Sequence, residues 1–362
     1  MDILQLLQDA VEKNASDVFI VAGLPVTFKI NGHMLPVDDT KLDPGATEEL
    51  IRGIYRLADS RNPALASQGG DDDFSFALRG ISRFRVSAYK QRGTLAAVIR
   101  VVTFDLPEPA SIGIPDSVLR LADHTKGLVL VTGPAGSGKS TTLACLIDRI
   151  NSSRSSHIIT LEDPLEYLHR HNKSIVSQRE ISSDTESYVR ALRASLRQSP
   201  DVILLGEMRD YETINVAMTA AETGHLVLSS LHTVGAANTI DRVIDAFPPN
   251  QQHQIRIQLS MVLQAVISQQ LIPTADRRVV PAFEIMVVNS AIRNMIRESK
   301  IHQIDTVIHS SAGQGMVTMD TSLLELYKQG QIDARNAVIY STSPEVMLKK
   351  LGISAAQADV IV

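Results

Sequence analysis

The stretch GPAGSGKS at residues 133–140 constrains the fold of this chain more than any other feature. It fits the P-loop pattern G-x-x-x-x-G-K-[ST], it follows the apolar run 128–131, and a helical pattern opens at Lys139. A strand, a glycine-rich loop and a helix in this order present backbone N–H groups and a helix N-terminus to phosphate. A glycine-rich turn with an exposed lysine, the alternative, needs none of that context. We therefore predict a nucleotide site.

The motif also assigns expected roles within this loop. Lys139 is expected to bind the β- and γ-phosphates of ATP, and the Ser140 hydroxyl is expected to hold Mg²⁺. ATP and Mg²⁺ are therefore the predicted substrate and cofactor. The predicted nucleotide-binding residues are Gly133, Pro134, Ala135, Gly136, Ser137, Gly138, Lys139, Ser140 and Thr141.

The rest of the chain predicts an α/β protein of two domains. Its 362 residues allow about two domains. MDILQLLQDAVEK predicts an opening helix with Ile3, Leu4, Leu7, Ala10 and Val11 on one face, and short strands follow. The segment 103–115 holds three prolines and is the predicted linker. Strands and helices then alternate, which favours a mostly parallel sheet covered by helices. The predicted boundaries are 1–102, 103–115, 116–340 and a weakly patterned tail at 341–362, for which a loose helix is expected.

Composition argues against several classes of function. The net charge of −5 gives no basic surface for nucleic acid. The single cysteine, Cys145, excludes a disulfide framework or a CxxC zinc module within one chain. No apolar run reaches the roughly 18 residues of a membrane span, and the N-terminus lacks the order of a signal peptide. A cytosolic protein is expected.

The segment DVILLGEMRD at 201–210 supplies a candidate catalytic acid. An apolar run ends in Gly206 and Glu207, and a strand-end carboxylate of a P-loop ATPase reaches Mg²⁺ or orients the attacking water. The usual residue is aspartate. Glutamate is one methylene longer, so Glu207 can polarise water as a base. A solvated strand end is the alternative.

A second acidic group lies in TLEDPLEYLH at 160–169. Glu162, Asp163 and Glu166 repel one another unless a cation or solvent offsets their charge, and Mg²⁺ would do so. The alternative is an acidic N-cap on the following turn.

Two histidines flank the strand HLVLSSLHT. The separation of His225 and His232 is an odd number of residues, which places the rings on opposite sides of a regular strand and argues against a shared metal. His232 either reads the γ-phosphate or is a core histidine.

Arginines can complete an ATPase site. Arg190, Arg193 and Arg197 recur on one helical face, and Arg83, Arg85 and Arg92 lie on neighbouring strands of the first domain. Such stripes are often solvated faces. A ring ATPase, however, needs cations that offset transition-state charge, and these often come from another domain or subunit.

These segments resemble the type IV pilus retraction ATPases of the PilT type, within the type II/IV secretion ATPase superfamily. GPAGSGKSTT is similar to the family's Walker A loop, TLEDPLEYLH to its Asp box, DVILLGEMRD to its atypical Walker B, and TAAETGHLVLSSLHT to its His box. QREISSDTESYVRALRASLRQSPD, FPPNQQHQIRIQL and AIRNMIRESK resemble further blocks. The resemblance runs over almost the whole chain.

The resemblance implies a PAS-like N-terminal domain, a RecA-like ATPase domain, a homohexamer and pilus retraction in twitching motility. ATP would lie between the domains. The implied location is cytoplasmic, at the inner face of the membrane, with an inner-membrane platform protein as partner. The site residues then expected are catalytic Glu207, Glu162, Glu166, Arg85 and Arg92, metal-binding Ser140 and Asp163, and phosphate-sensing His232 and Arg197.

Two departures and three alternatives qualify the resemblance. Phe19 stands where the family usually has histidine, and residues 57–73 fit its pattern poorly. A pilus assembly or type II secretion ATPase would share the core, but it usually carries a longer N-terminal region and a four-cysteine zinc insertion. A RecA-like DNA motor lacks support from the charge. A non-hydrolysing regulator would need a damaged site, whereas Lys139, Ser140 and Glu207 are present.

The block AIRNMIRESK at 291–300 predicts an amphipathic helix. Ile292 and Ile296 lie on its apolar face, and Arg293 and Arg297 lie on an adjacent basic ridge. An ordinary amphipathic helix explains this pattern. The alternative hypothesis is that Arg293 and Arg297 couple nucleotide state to the pilus machinery.

Overall fold

The computed structural model describes residues 2–30, 32–58, 70–102, 104–274 and 278–353. Part of the poorly fitting segment 57–73 and the end of the predicted tail therefore lie outside the described residues. Contacts divide the chain into two compact units, Met1–Asp105 with Leu165–Leu168, and Leu106–Pro164 with His169–Val362. The division falls inside the segment 103–115 that was predicted as a linker. The predicted α/β class is confirmed, because each unit contains one sheet with helices.

The first unit is built on a six-stranded antiparallel sheet in the order β3-β2-β1-β6-β5-β4. Its core gathers apolar residues of the sheet and both helices. The elements are α1 (Ile3–Glu12), β1 (Asp17–Ile20), β2 (Thr27–Ile30), β3 (His33–Pro36), α2 (Pro44–Leu57), β4 (Asp71–Leu78), β5 (Ser82–Gln91) and β6 (Thr94–Val102).

The opening helix is confirmed, with a correction to its buried face. The structure buries Ile3, Leu6, Leu7 and Ala10, the spacing i, i+3, i+4 and i+7. Leu4, predicted to be on this face, is instead 37% exposed. Because consecutive residues of a helix are rotated by about 100°, a stripe that starts at Ile3 includes Leu6 and leaves Leu4 to one side.

The second unit is built on a seven-stranded sheet in the order β13-β12-β7-β11-β10-β8-β9. Only the edge pair β12–β13 is antiparallel in the described sheet, so the predicted mostly parallel sheet is confirmed. Its strands are β7 (Gly127–Thr132), β8 (His157–Glu162), β9 (Ile175–Glu180), β10 (Val202–Leu205), β11 (Leu226–Leu231), β12 (Leu263–Pro273) and β13 (Val279–Val287).

Helices cover both faces of this sheet. Alternate residues of β7 face opposite sides, so Leu130 packs in one core cluster while Val129 and Val131 pack in another. The helices are α3 (Asp116–Leu119), α4 (Lys139–Ser153), α5 (Tyr188–Ser195), α6 (Tyr211–Glu222), α7 (Ala236–Asp245), α8 (Pro249–Val262), α9 (Ser290–Arg297), α10 (Ile304–Ser310), α11 (Met319–Lys328), α12 (Ala334–Ile339) and α13 (Pro344–Leu351), with 3₁₀ turns at 120–123, 301–303 and 312–314.

The C-terminal helices continue into the segment that was predicted as a tail. Met347 of α13 is fully buried in a small cluster with Ile272 of β12 and Leu323 of α11. The second unit therefore remains packed through Leu351. Across the described ranges, no helix has the length and apolar character needed to cross a bilayer.

The parallel strands bring several loops to one edge. The ends of β7, β11, β10 and β8 are neighbours in the sheet, so residues 133–138, 232–235, 206–210 and 163 lie along the same carboxyl edge. In open α/β sheets, ligands bind at this edge. The predicted P-loop and predicted acids thus share one side of the second unit.

Candidate active site

The loop 133–138 connects β7 to α4, as predicted for a P-loop. Gly133 has φ +139°, and a Cβ atom added there would stand 2.1 Å from the backbone oxygen of Gln269. Only glycine fits at such an approach. Helix α4 begins at Lys139, directly after Gly138, so its unpaired N–H groups lie beside the loop.

The interior of this loop fits a phosphate group. Lys139 Nζ donates hydrogen bonds to the carbonyl oxygens of Gly133 and Pro134, at 2.9 Å each. The Ser137 hydroxyl is buried and has no hydrogen-bond partner among the described residues. Ser140 is exposed at the first turn of α4. An anion here would accept from Lys139 and from backbone N–H groups, which is what the motif predicts.

Glu207 lies just beyond β10, and its backbone is held from both sides. Gly206 N donates to Leu161 O at 2.8 Å, and Met208 N donates to Ser230 O at 3.1 Å. These bonds tie the end of β10 to the strands on either side. The Glu207 side chain is 12% exposed, so the carboxylate is sheltered from most of the solvent.

Two cationic or polar side chains hold the Glu207 carboxylate. Arg209 Nη2 lies 2.5 Å from Oε1, and His232 Nε2 lies 3.3 Å from Oε2. The hydrogen bond and the charge of Glu207 raise the pKa of Arg209 above its ordinary value. Because each side chain contacts a different oxygen, the two contacts together orient the carboxylate. Because each carboxylate oxygen has two lone pairs, Oε2 can still accept from water.

The four residues at 207–210 have separate tasks. Glu207 and Arg209 form the ion pair, Met208 is buried in the core, and Asp210 accepts from Thr213 N at 2.8 Å as the N-cap of α6. The alternative interpretation, a merely solvated strand end, does not fit a sheltered and paired carboxylate. Arg209 was missed as a site residue, although it stands only two positions after Glu207.

His225 and His232 flank β11, as the strand pattern predicted. His225 Nδ1 lies 2.9 Å from the carbonyl oxygen of Ala220 at the end of α6. His232 contacts Glu207, and its side chain is 59% exposed, which excludes a core histidine. Since β11 lies between β7 and β10, His232 follows the strand that separates the P-loop from Glu207.

The Asp-box acids are divided between the two units. Glu162 is the last residue of β8 and Asp163 is exposed beside it, both in the second unit, whereas the exposed Glu166 groups with the first unit. No helix lies between β8 and β9 in the described chain, so these acids cap none.

The described ranges contain no cluster of three His, Cys, Asp or Glu side chains arranged for a metal. Ser140 and Asp163, the predicted protein ligands of Mg²⁺, are both exposed at this edge of the sheet, and their role remains a prediction. Few protein ligands are usual for Mg²⁺ in ATPase sites.

Tyr188, the first residue of α5, was not predicted as a site residue. A Cβ atom on Gly206 would stand 2.9 Å from the Tyr188 hydroxyl and 3.4 Å from Glu162 Cα. The absence of a side chain at Gly206 thus makes room for the phenol beside the ends of β8 and β10. Burial raises the pKa of Tyr188, and Glu207, Asp163 and Glu162 raise it further. The hydroxyl therefore stays protonated next to the carboxylates.

The predicted arginines lie in different places. Arg85 is half-buried on β5, and Arg92 is exposed in the turn between β5 and β6, with φ +48°. Both belong to the first unit. Arg197 follows α5, is exposed, and donates to the carbonyl oxygen of Arg193 at 3.3 Å. Their assigned roles remain predictions.

A helix in the segment 291–300 is confirmed as α9 (Ser290–Arg297), which ends three residues earlier than predicted and buries Ile292 and Ile296. The two arginines of its ridge differ. Arg293 Nη1 donates to the carbonyl oxygens of Ser260 and Met261, at 2.7 and 3.0 Å, and so caps the C-terminus of α8. Arg297 is exposed. The coupling role remains a prediction, but Arg293 also has a structural role.

Known proteins show the same organisation. The family model described as "Type II/IV secretion system protein" matches residues 1–304. The type IV pilus retraction ATPase PilT of Pseudomonas aeruginosa is 42% identical over 345 residues, which cover 95% of this chain and 99% of PilT. The type IV pilus ATPase PilU of the same organism is 39% identical, covering 99% of this chain and 94% of PilU.

A solved structure agrees with these sequence relatives. The crystal structure of the pilus retraction motor PilT with bound ADP matches with a TM-score of 0.86 and 45% identity, covering 96% of this chain and 98% of that one. The P-loop, the paired Glu207 and this similarity over nearly the full length agree. The chain therefore belongs to the type II/IV secretion system protein family and is a P-loop ATPase of the PilT type.

Proposed function

We propose that this ATPase is a homohexameric motor that uses ATP hydrolysis to power pilus retraction, and with it twitching motility. The observation that carries the proposal is a P-loop and a sheltered, paired Glu207 at one edge of the sheet, in a chain similar to PilT over nearly its full length. The P-loop supplies the phosphate contacts, and the sheltered Glu207 supplies a base at the same edge of the sheet. A regulator that binds without hydrolysis would not need this acid.

The residues at the edge can carry out the reaction in one displacement. Glu207 Oε2 accepts the proton of a water whose oxygen attacks the γ-phosphorus. A P–O bond forms to that water as the bond to the β-phosphate oxygen breaks, which releases ADP and inorganic phosphate. Arg209 and His232 keep the carboxylate oriented during proton transfer. Mg²⁺, when bound, would neutralise charge on the phosphate oxygens.

Lys139 and His232 act on the phosphate groups in this proposal. Lys139 exchanges its two loop carbonyl partners for β- and γ-phosphate oxygens. His232 contacts Glu207 and lies between the P-loop and the segment that follows β10. A contact of its ring with the γ-phosphate can therefore change the position of the Glu207 carboxylate. Tyr188 offers a protonated hydroxyl beside the same acids, as a hydrogen-bond donor to them or to water.

The finer assignments extend the same proposal. Residues 1–102 form a PAS-like domain, 103–115 a linker and 116–340 a RecA-like domain. Arg85 and Arg92 of one subunit offset charge on nucleotide held by another. The ring acts in the cytoplasm at the inner face of the membrane, on an inner-membrane platform protein. The second candidate, a pilus ATPase of the PilU kind, is favoured by the 39% identity over nearly the full length.

Three measurements test this function. The purified chain should hydrolyse ATP and show the mass of a hexamer in solution. Expression in a strain that lacks PilT should restore twitching, whereas the same strain with Glu207→Gln should stay non-motile. Rescue of a strain lacking PilU but not of one lacking PilT would select the second candidate. A monomer with full turnover would contradict the ring.

A further inference from the structure

One buried side chain outside the P-loop motif contacts that loop from behind. Gln269 lies on β12, which pairs with β7 up to the pair Ser268 and Thr132, the residue before the loop. The residue is 3% exposed. A buried amide is costly unless its polar atoms are used, so the contacts of this residue call for an explanation.

The oxygen of this amide is tied to the helix that follows the loop. Gln269 Oε1 accepts a hydrogen bond from Thr142 Oγ1 at 2.7 Å, and Thr142 is fully buried in the first turn of α4. The bond joins two positions that are 127 residues apart. It therefore fixes the start of α4, where the phosphate-facing N–H groups lie, to the central sheet.

The nitrogen of the amide and the backbone of the same residue contact the loop itself. A Cβ atom on Gly138 would stand 2.8 Å from Gln269 Nε2, and one on Gly133 would stand 2.1 Å from Gln269 O. Both glycines have positive φ, +87° and +139°. Gly133 and Gly138, the first and last glycines of the loop, therefore both pack closely against Gln269.

We propose that Gln269 is a positioning residue for the phosphate-binding loop: it holds α4 through Thr142 and seats Gly133 and Gly138 against β12. ATP and ADP binding then depends on a residue that the P-loop motif does not include. The proposal rests on the proposed nucleotide site at this loop. A loop whose geometry is fixed before binding loses less entropy when the phosphates arrive.

The adjacent glutamine provides a matched control. Gln270 follows on the same strand, so its side chain points to the opposite face, where Nε2 donates to the carbonyl oxygen of Tyr340 at 3.3 Å. Substitution of either glutamine by methionine keeps a side chain of similar length and removes the amide group. Only the change at Gln269 should affect the loop.

The test measures the Kd of a fluorescent ADP analogue by titration of the full chain. Gln269→Met should raise the Kd about tenfold, which is about 1.4 kcal/mol, while Gln270→Met stays within about twofold of the wild type. Thr142→Val should weaken binding similarly, and the double variant should be no weaker than the worse single variant, because both changes remove one bond. Thr142→Ser, which keeps the hydroxyl, should restore most of the affinity.

Three outcomes would overturn the proposal. The first is a folded Gln269→Met variant with the wild-type Kd. The second is a double variant whose increase in Kd is the product of the two single increases. The third is an equal Kd for Thr142→Val and Thr142→Ser. The last comparison remains decisive if Gln269→Met does not fold. A purely structural role would lower the melting temperature without changing the Kd. Lys139→Ala is the reference variant. If it binds the ADP analogue with the wild-type Kd, the proposed nucleotide site itself is refuted. If it loses binding while Gln269→Met keeps the wild-type Kd, only the positioning role of Gln269 is refuted.

Discussion

His232 Nε2 lies 3.3 Å from Oε2 of Glu207, at the ends of two neighbouring parallel strands. The contact places an imidazole ring against the carboxylate that we assign as base. Arg209 holds the other oxygen of the same carboxylate at 2.5 Å. Glu207 is therefore oriented from two sides before any substrate arrives, as a preorganised base should be.

The first prediction separates binding from turnover at this edge. Lys139→Ala should abolish tight nucleotide binding, because the lysine contacts ground-state phosphate. Glu207→Gln should keep the Kd for ADP and lower kcat by at least about 100-fold, the usual range for loss of a general base. Steady-state ATPase assays and nucleotide titration measure both. Hydrolysis by the glutamine variant within about threefold of wild type, roughly 0.65 kcal/mol in barrier, would contradict the assignment.

The second prediction concerns Gly206 and Tyr188. Gly206→Ala should lower the free energy of unfolding by about 1–2 kcal/mol, because the added methyl would stand 2.9 Å from the phenolic oxygen. Tyr188→Phe removes that oxygen, so the double variant should recover most of the loss. Urea unfolding of the four proteins measures the coupling. Simple addition of the two single effects would show that the hydroxyl does not occupy this space.

The third prediction concerns stability in acid. Burial lowers the pKa of His169 from 6.5 to about 4. Between pH 6.5 and pH 4, His169 is therefore protonated in the unfolded chain and mostly unprotonated in the folded chain. The free energy of unfolding consequently decreases as the pH falls from 6.5 towards 4. By pH 5 the loss relative to pH 7 should be about 2 kcal/mol.

Substitution of this histidine tests the effect directly. His169→Gln should remove that part of the acid sensitivity in urea unfolding measured at pH 7 and pH 5. The control is His309→Gln, since His309 is exposed on α10. Equal acid sensitivity of the wild type and His169→Gln would show that other groups account for it.

The fourth prediction concerns catalysis across subunits. Arg92 stands exposed at the tip of the β5–β6 turn, where it can reach another molecule. If its guanidinium acts in trans, Arg92→Ala subunits mixed with Lys139→Ala subunits should recover part of the ATPase activity that each lacks alone. Arg79→Ala, in the exposed turn between β4 and β5, should retain activity by itself. No recovery after mixing in assembled rings would argue against a trans role.

The sequence predicted the features that depend on local order. The P-loop, the strand that ends before Glu207 and the strand between His225 and His232 are each readable within about ten residues. It did not reveal the position of Tyr188, because that contact depends on which strands are neighbours and on a missing side chain at Gly206.

The same reason explains why Gln269 was missed. Its strand, β12, begins at Leu263 directly after α8 ends at Val262, so no turn residue marks the boundary. Its partner Thr142 is distant in sequence. The sequence likewise predicted the helical position of Arg293. It did not predict the contact of Arg293 with the carbonyl oxygens at the end of α8, because that contact depends on how the two helices pack.

The last prediction separates the two arginines of α9. Arg293→Met keeps the apolar stem but leaves the Ser260 and Met261 carbonyls without their charged donor, so the free energy of unfolding should fall by about 1–2 kcal/mol. Arg297→Met changes an exposed side chain and should stay within about 0.5 kcal/mol of the wild type. Urea unfolding gives these values, and twitching of the complemented strain gives the function.

If the basic ridge contacts the pilus machinery, Arg297→Met should stop retraction while stability and ATPase activity persist. Normal twitching by Arg297→Met, with defects only in the destabilised Arg293→Met, would assign this helix to the fold and reject the coupling role.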